Sequence, residues 1–179
     1  MELPSIDPTD LQFEVAGSGE PVIFIHGVLI ADFFRPLLTE PSLADRYRLC
    51  LYHRHGYAGS THSSGRSSIA DEAAGCRALM HSLDLQRAHI VGHSLGGAIA
   101  LQLALDAPES VHSLTLLEPA VAVGAGLDAY RASLKQMIDR SQAEDTATLI
   151  DAFLEARGPG YRATLDRILE HAGRTAGSA

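Results

Sequence analysis

The chain has 179 residues, 46% hydrophobic and 20% charged, which suffices for one substantial core and not for two. Its formal net charge of -8, with no run of Lys or Arg, argues against nucleic acid or an anionic membrane surface as a partner. No basic-then-apolar leader opens the chain, and its longest apolar stretch, Val22 to Ala31, falls short of the roughly 20 residues of a membrane span, so a cytoplasmic location is expected.

In chain order, Leu11 to Ala16 reads as a short strand ended by Gly17-Ser18-Gly19-Glu20-Pro21. Val22 to Ile25 is a continuous β-branched and aromatic run, the pattern of a strand buried on both faces of a parallel sheet. Tyr47 to Tyr52 is a weaker strand, reached through a segment, Phe33 to Asp45, with room for one short helix. Ser68 then opens a helix with a capping-box-like spacing to Asp71, and Ile69, Ala73, Cys76, Met80 and Leu83 recur at helical intervals. Ala88 to Val91 is the next strand. Leu95 to Ala107 follows as a helix stopped by Pro108, so apolar that it needs cover on nearly all sides. Ser113 to Leu117 is again a strand. Strand and helix thus alternate from Val22 onward, which predicts an α/β fold with a mainly parallel sheet flanked by helices.

After Glu118-Pro119 the alternation stops. Helical patterns follow at Tyr130 to Ile138, Leu149 to Leu154 and Tyr161 to Leu169, each amphipathic and each needing a surface to lie on. The expected organisation is a core over residues 1–120, a helical cap over 121–173 and a frayed tail at 174–179. Cys50 and Cys76 have neither CxxC spacing nor metal-ligand neighbours and read as small buried apolar residues.

Chemistry concentrates at Gly92-His93-Ser94-Leu95-Gly96, a G-x-S-x-G motif set between a strand and a helix. Such a turn strains its serine and demands small neighbours, here Gly92, Gly96 and Gly97. Ser94 then lies at a helix N-terminus, where peptide N–H groups favour negative charge, and the Leu95 N–H forms one half of an oxyanion hole. His26-Gly27-Val28 leaves the buried strand on the same sheet edge, with the Val28 N–H as the second donor and His26 bracing the loop. His93 belongs to the turn itself. Glu118 reaches that edge as well, either as an acid or as a residue that orders the junction to the cap or lines the pocket.

These motifs, in the order Gly17 to Gly27, Tyr52-His53-Arg54-His55-Gly56-Tyr57-Ala58-Gly59-Ser60, Gly92 to Gly97 and Leu116 to Pro119, resemble the α/β-hydrolase superfamily in its small bacterial esterase-like and haloperoxidase-like branch. The resemblance spans about residues 11 to 120. It implies a Ser-acid-His triad, an acyl-enzyme intermediate, a small ester-like substrate, and neither metal nor organic cofactor. In that family the acid and histidine follow later strands. Two further strand-helix units need on the order of 60 residues, so the chain reads as truncated before its catalytic histidine, with impaired activity. The alternative is a non-catalytic binding module that keeps the pocket. A sheet ending at Ser113 to Leu117 leaves an unpaired edge, which predicts a homo-oligomer or a poorly soluble fragment.

Overall fold

The computed structural model describes residues 11–28, 30–61, 67–121, 127–128 and 132. Its strands are β1 (Phe13–Ala16), β2 (Glu20–Ile25), β3 (Tyr47–Tyr52), β4 (Ala88–His93) and β5 (Val111–Leu117), and its α-helices are α1 (Pro41–Ala44), α2 (Ile69–Ser82) and α3 (Leu95–Asp106). They form one sheet in the order β1-β3-β2-β4-β5. β1 runs antiparallel to β3, and every other pairing is parallel.

The unbroken apolar run of β2 belongs at the sheet's centre, where both faces are covered. Alternation along the strand sends Ile23 and Ile25 to one face and Val22 and Phe24 to the other. The first face packs against Ala73, Cys76, Leu79 and Met80 of α2 and Ile99, Ala100 and Leu103 of α3. The second packs against Phe34 and Leu38, with Phe24 and Phe34 stacked at 5.0 Å. Ile23, Ile90, Leu79 and Ile99 are fully buried, each favouring the folded state by about 1.5–3 kcal/mol through apolar burial. Cys50 and Cys76 are buried free thiols, and burial pushes both up to about 12, so neither is a ready thiolate.

Local signals set the helix ends. Ser68 Oγ accepts the Asp71 N–H at 3.1 Å while Asp71 Oδ2 accepts the Ser68 N–H at 3.0 Å, a reciprocal capping box. Three sequence expectations are revised. Phe33 to Asp45 holds two short elements, a 3-10 turn at Arg35–Thr39 and then α1, because Pro36 and Pro41 each start a new turn and cannot continue the previous one. Ile69 is exposed at the first position of α2, and its periodic place is taken by Glu72, Gly75 and Leu79. α3 is covered on fewer sides than its composition predicts, since Leu105 is 70% exposed.

By its internal contacts the chain divides into two units, Met1–Ala120 and Val121–Ala179. Residues 127–128 and 132 of the second are helical. The helical patterns expected at Tyr130 to Ile138, Leu149 to Leu154 and Tyr161 to Leu169, and the tail, lie outside the described residues. Among the described residues no helix is long and apolar enough to cross a membrane.

Candidate active site

β4 ends at His93 and α3 begins at Leu95, so a single residue, Ser94, makes the whole turn from strand to helix. It does so at φ 54° and ψ −119°, a conformation that L-residues seldom adopt. Hydrogen bonds from outside the turn hold it there. The Ser94 N–H donates to Leu117 O at 3.0 Å, and Ser94 O accepts from Ala120 N–H at 2.8 Å and from Gly97 N–H at 2.9 Å. The Ser94 side chain makes no capping hydrogen bond to the helix it precedes.

The small residues around the turn follow from backbone crowding. A methyl group on Gly96 would collide with the carbonyl oxygens of Ile25 and His26, and one on Gly92 with the carbonyl of Gly96. The helix therefore starts directly against the end of β2. Gly97 lies against Pro119, and the position a Gly27 Cβ would take is 3.2 Å from Ser94 Cβ, so the loop after β2 and the turn after β4 meet. Val28, next in that loop, is exposed, and Leu95 is the first, half-buried residue of α3. The His93 ring stacks on Phe33 at 4.3 Å, nearly parallel.

Glu118 follows β5 with φ 45°, another strained non-glycine residue at this edge, and its conformation is further restricted by Pro119. Leu117 O and Ala120 N–H flank it in the chain and both bond Ser94, so one hydrogen-bonded backbone unit carries both strained residues. The Glu118 side chain is exposed.

Behind the loop lies a buried polar network that sequence reasoning identified only in part. His26 is fully buried, with Nδ1 2.8 Å from Gly27 O and Nε2 accepting the Arg54 N–H at 3.0 Å. Burial first, then the charge of Arg54, lowers its pKa from 6.5 to about 3, so it is a neutral ring with its proton on Nδ1. Arg54, itself buried, donates from Nη2 to Gly27 O at 2.9 Å, reaches Glu72 Oε1 at 3.5 Å and covers the Tyr57 ring at 4.7 Å. Burial raises the pKa of Glu72, with Arg54 and His55 opposing. His53 bonds Gln12 Oε1 through Nδ1 and Asp32 Oδ1 through Nε2, both at 2.9 Å. Burial disfavours the charged Asp32, yet the hydrogen bonds from His53 and Arg35 outweigh it and the pKa is net lowered. Ser60 Oγ donates to His53 O at 2.6 Å, closing the loop. Arg54 and Glu72 were not singled out as partners from sequence; a buried arginine flanked by histidines, with an acid on the inner face of α2, was the available signal.

The chain matches the family described as "alpha/beta hydrolase fold" over residues 20–170. It is 29% identical over 155 residues to the dihydrolipoyllysine-residue acetyltransferase component of the acetoin cleaving system of Cupriavidus necator, covering 87% of this chain and 40% of that protein. It is 34% identical over 109 residues to a fluoroacetate dehalogenase of a Burkholderia species, covering 58% of this chain and 36% of that one. An esterase from Exiguobacterium antarcticum superposes with a TM-score of 0.73 at 24% identity over 86% of this chain and 59% of its own, a likeness of fold. The chain thus spans well under half the length of these curated relatives.

Proposed function

Since the chain belongs to the α/β-hydrolase-fold family, we propose that it carries the nucleophile and oxyanion hole of a serine hydrolase acting on a small ester or related acyl compound. The observation that carries this reading is the strained backbone of Ser94 at the start of α3, held by bonds to Leu117 and Ala120 and met by the loop of Gly27. A serine that only capped the helix would not need φ 54°.

In the proposed reaction Ser94 Oγ attacks the substrate's carbonyl carbon and gives up its proton to a base. The carbonyl oxygen becomes negative as the tetrahedral intermediate forms, and the Val28 and Leu95 N–H groups meet that charge. The intermediate collapses, the alcohol leaves with a proton, and water then cleaves the Ser94 acyl ester. Gly92, Gly96, Gly97, Gly27, His26 and His93 hold the frame. Glu118 is the candidate acid, standing one strand away on the same hydrogen-bonded unit.

No base is assigned among the described residues. His26 and His53 have both ring nitrogens engaged elsewhere, and His89 and His112 stand at the opposite sheet edge. Without a base, ester turnover is expected to be several powers of ten below that of a complete triad. Residues 121–173 are proposed as a helical cap segment and 174–179 as a tail. The protein is proposed to act in the cytoplasm without a metal or organic cofactor in this reaction, and its copies to pair through β5, which would give a dimer on size-exclusion chromatography.

A fluorophosphonate probe tests the reading, because capture requires a nucleophilic serine and only part of the triad. Slow stoichiometric labelling of the wild type, absent in Ser94→Ala, is expected. A folded chain that resists labelling would remove the enzyme reading and favour a binding module.

A further inference from the structure

Opposite the candidate active site, at the N-terminal edge of the parallel strands, three side chains from three strands converge. Glu20 opens β2, His89 is the second residue of β4 and His112 the second of β5. A donor atom from each lies within 4.8 Å of the other two. Glu20 Oε2 is 3.2 Å from His89 Nε2, and the His89 and His112 rings meet edge-on at 4.5 Å.

The sheet brings them together by a local irregularity. Ala88 pairs with Val111 and His89 with Ser113, so His112 is an extra residue in the β4–β5 ladder. A bulge of this kind leaves one residue unpaired and re-aims its side chain. Without it, alternation would send His112 to the face opposite Ser113. Glu20 shares the parity of Val22, which is paired with His89, so these two also project on one face.

We propose that Glu20, His89 and His112 form a binding site for a divalent transition-metal cation of the zinc class. Two imidazoles and one carboxylate are a ligand set that Zn2+ accepts, and the exposure of Glu20 and His112 leaves the remaining positions to water. Ligand bonds of about 2.0–2.2 Å in tetrahedral array place donor atoms about 3.4 Å apart. The Glu20–His89 pair already has that spacing, and the exposed His112 ring needs only a small rotation. His89 Nδ1 is 2.7 Å from Ser113 Oγ. That bond, with Nδ1 donating, fixes the ring and directs the Nε2 lone pair at the ion, the outer-shell support that metal-bound histidines commonly have. Binding needs His89 in the tautomer with its proton on Nδ1, and the ion then takes the place of the Nε2–Glu20 contact. Mg2+ and Ca2+, which prefer oxygen ligands, fit poorly. The site is independent of the serine-hydrolase reading.

Calorimetric titration of the 179-residue chain with Zn2+ tests the proposal, together with Co2+ absorption spectra. One equivalent is expected, with the visible bands of a low-symmetry Co2+ centre and no competition from millimolar Mg2+. His89→Gln/His112→Gln and, separately, Glu20→Gln should weaken binding at least tenfold, and Ser113→Ala about tenfold, the scale of losing an outer-shell partner. Glu20→Gln alters an exposed side chain and guards against a double variant that fails to fold. Absence of binding, or affinity unchanged in folded Glu20→Gln and in the double variant, overturns the site; binding that survives them belongs to other histidines.

Discussion

At the C-terminal edge of the sheet, Ser94 and Glu118 hold positive φ, the backbone of α3 touches that of β2, and an arginine and a histidine are buried behind the loop. At the N-terminal edge, Glu20, His89 and His112 have ordinary φ, two of them are exposed, and a single bulge is the only irregularity joining them. The first edge is over-determined: each strained residue is fixed by neighbours that cannot move without disturbing the core. The second is held loosely by side chains that water can replace. Strain persists only where the surroundings impose it, so the first edge suits a reaction that needs fixed donors and the second suits an ion that draws its ligands in.

The sharpest way to break this contrast is Arg54→Met. The variant leaves the Glu72 carboxylate buried without its cation and Gly27 O without its Nη2 donor. Loss of one partner from a buried pair costs about 3–5 kcal/mol, and urea unfolding should show a fall of that size. Adding Glu72→Gln should recover part of it. A loss below about 1 kcal/mol would mean that the network does not brace the loop.

Next in size is Gly96→Ala. A methyl group there meets the carbonyl oxygens of Ile25, the last residue of the central strand, and of His26 just beyond it. A loss of about 3 kcal/mol in unfolding free energy is expected, with fluorophosphonate labelling reduced beyond what stability explains. Gly75→Ala is the control. Its methyl would meet nothing closer than His55 Nε2 at 3.5 Å, in the middle of α2, so a gain of about 0.5–1 kcal/mol is expected from helix propensity.

These substitutions mark which parts of the fold were legible in the chain. The strand β2 was visible because a run buried on both faces must be continuously apolar, and the start of α2 because Ser68 and Asp71 stand at capping distance in sequence. Ser94 was visible because the turn's crowding demands glycines at fixed offsets. The partnership of Arg54 with Glu72 and Gly27 was not, since it joins residues from three separate segments by tertiary contact alone. The meeting of His89 and His112 was hidden for a further reason. Alternation assigns His112 to the wrong face, and only the register shift at Ala88/His89 corrects it. Leu105 shows the opposite failure: composition gave α3 a covered surface, and packing left that residue exposed.

His26 gives a pH signature to the same contrast. Buried and neutral in the native state, it titrates near 3 there and near 6.5 once the chain unfolds. Between those values the unfolded state binds the additional proton, so stability is complete well above pH 6.5 and falls as the pH drops. The slope approaches about 1.4 kcal/mol per pH unit well below pH 6.5, and the loss between pH 6.5 and 5 is about 1.6 kcal/mol. Urea midpoints over that window should fall in the wild type and flatten in His26→Asn, whatever the variant's overall loss. Equal slopes would place a proton-accepting ring in contact with solvent and remove the brace.

The smallest effect belongs to the N-terminal edge and decides whether the two edges differ in kind. In metal-free buffer the exposed Glu20 carboxylate shares only a water-accessible pairing with His89. Glu20→Gln keeps a hydrogen-bonding side chain, so its unfolding free energy should change by no more than about 0.5 kcal/mol. With Zn2+ present, the wild type should gain stability by mass action and the variant should gain less, because an ion bound only to the native state shifts the equilibrium in proportion to its occupancy. A large loss without metal would show that the acidic side chain holds the sheet together, and both edges would then be built as fixed frames.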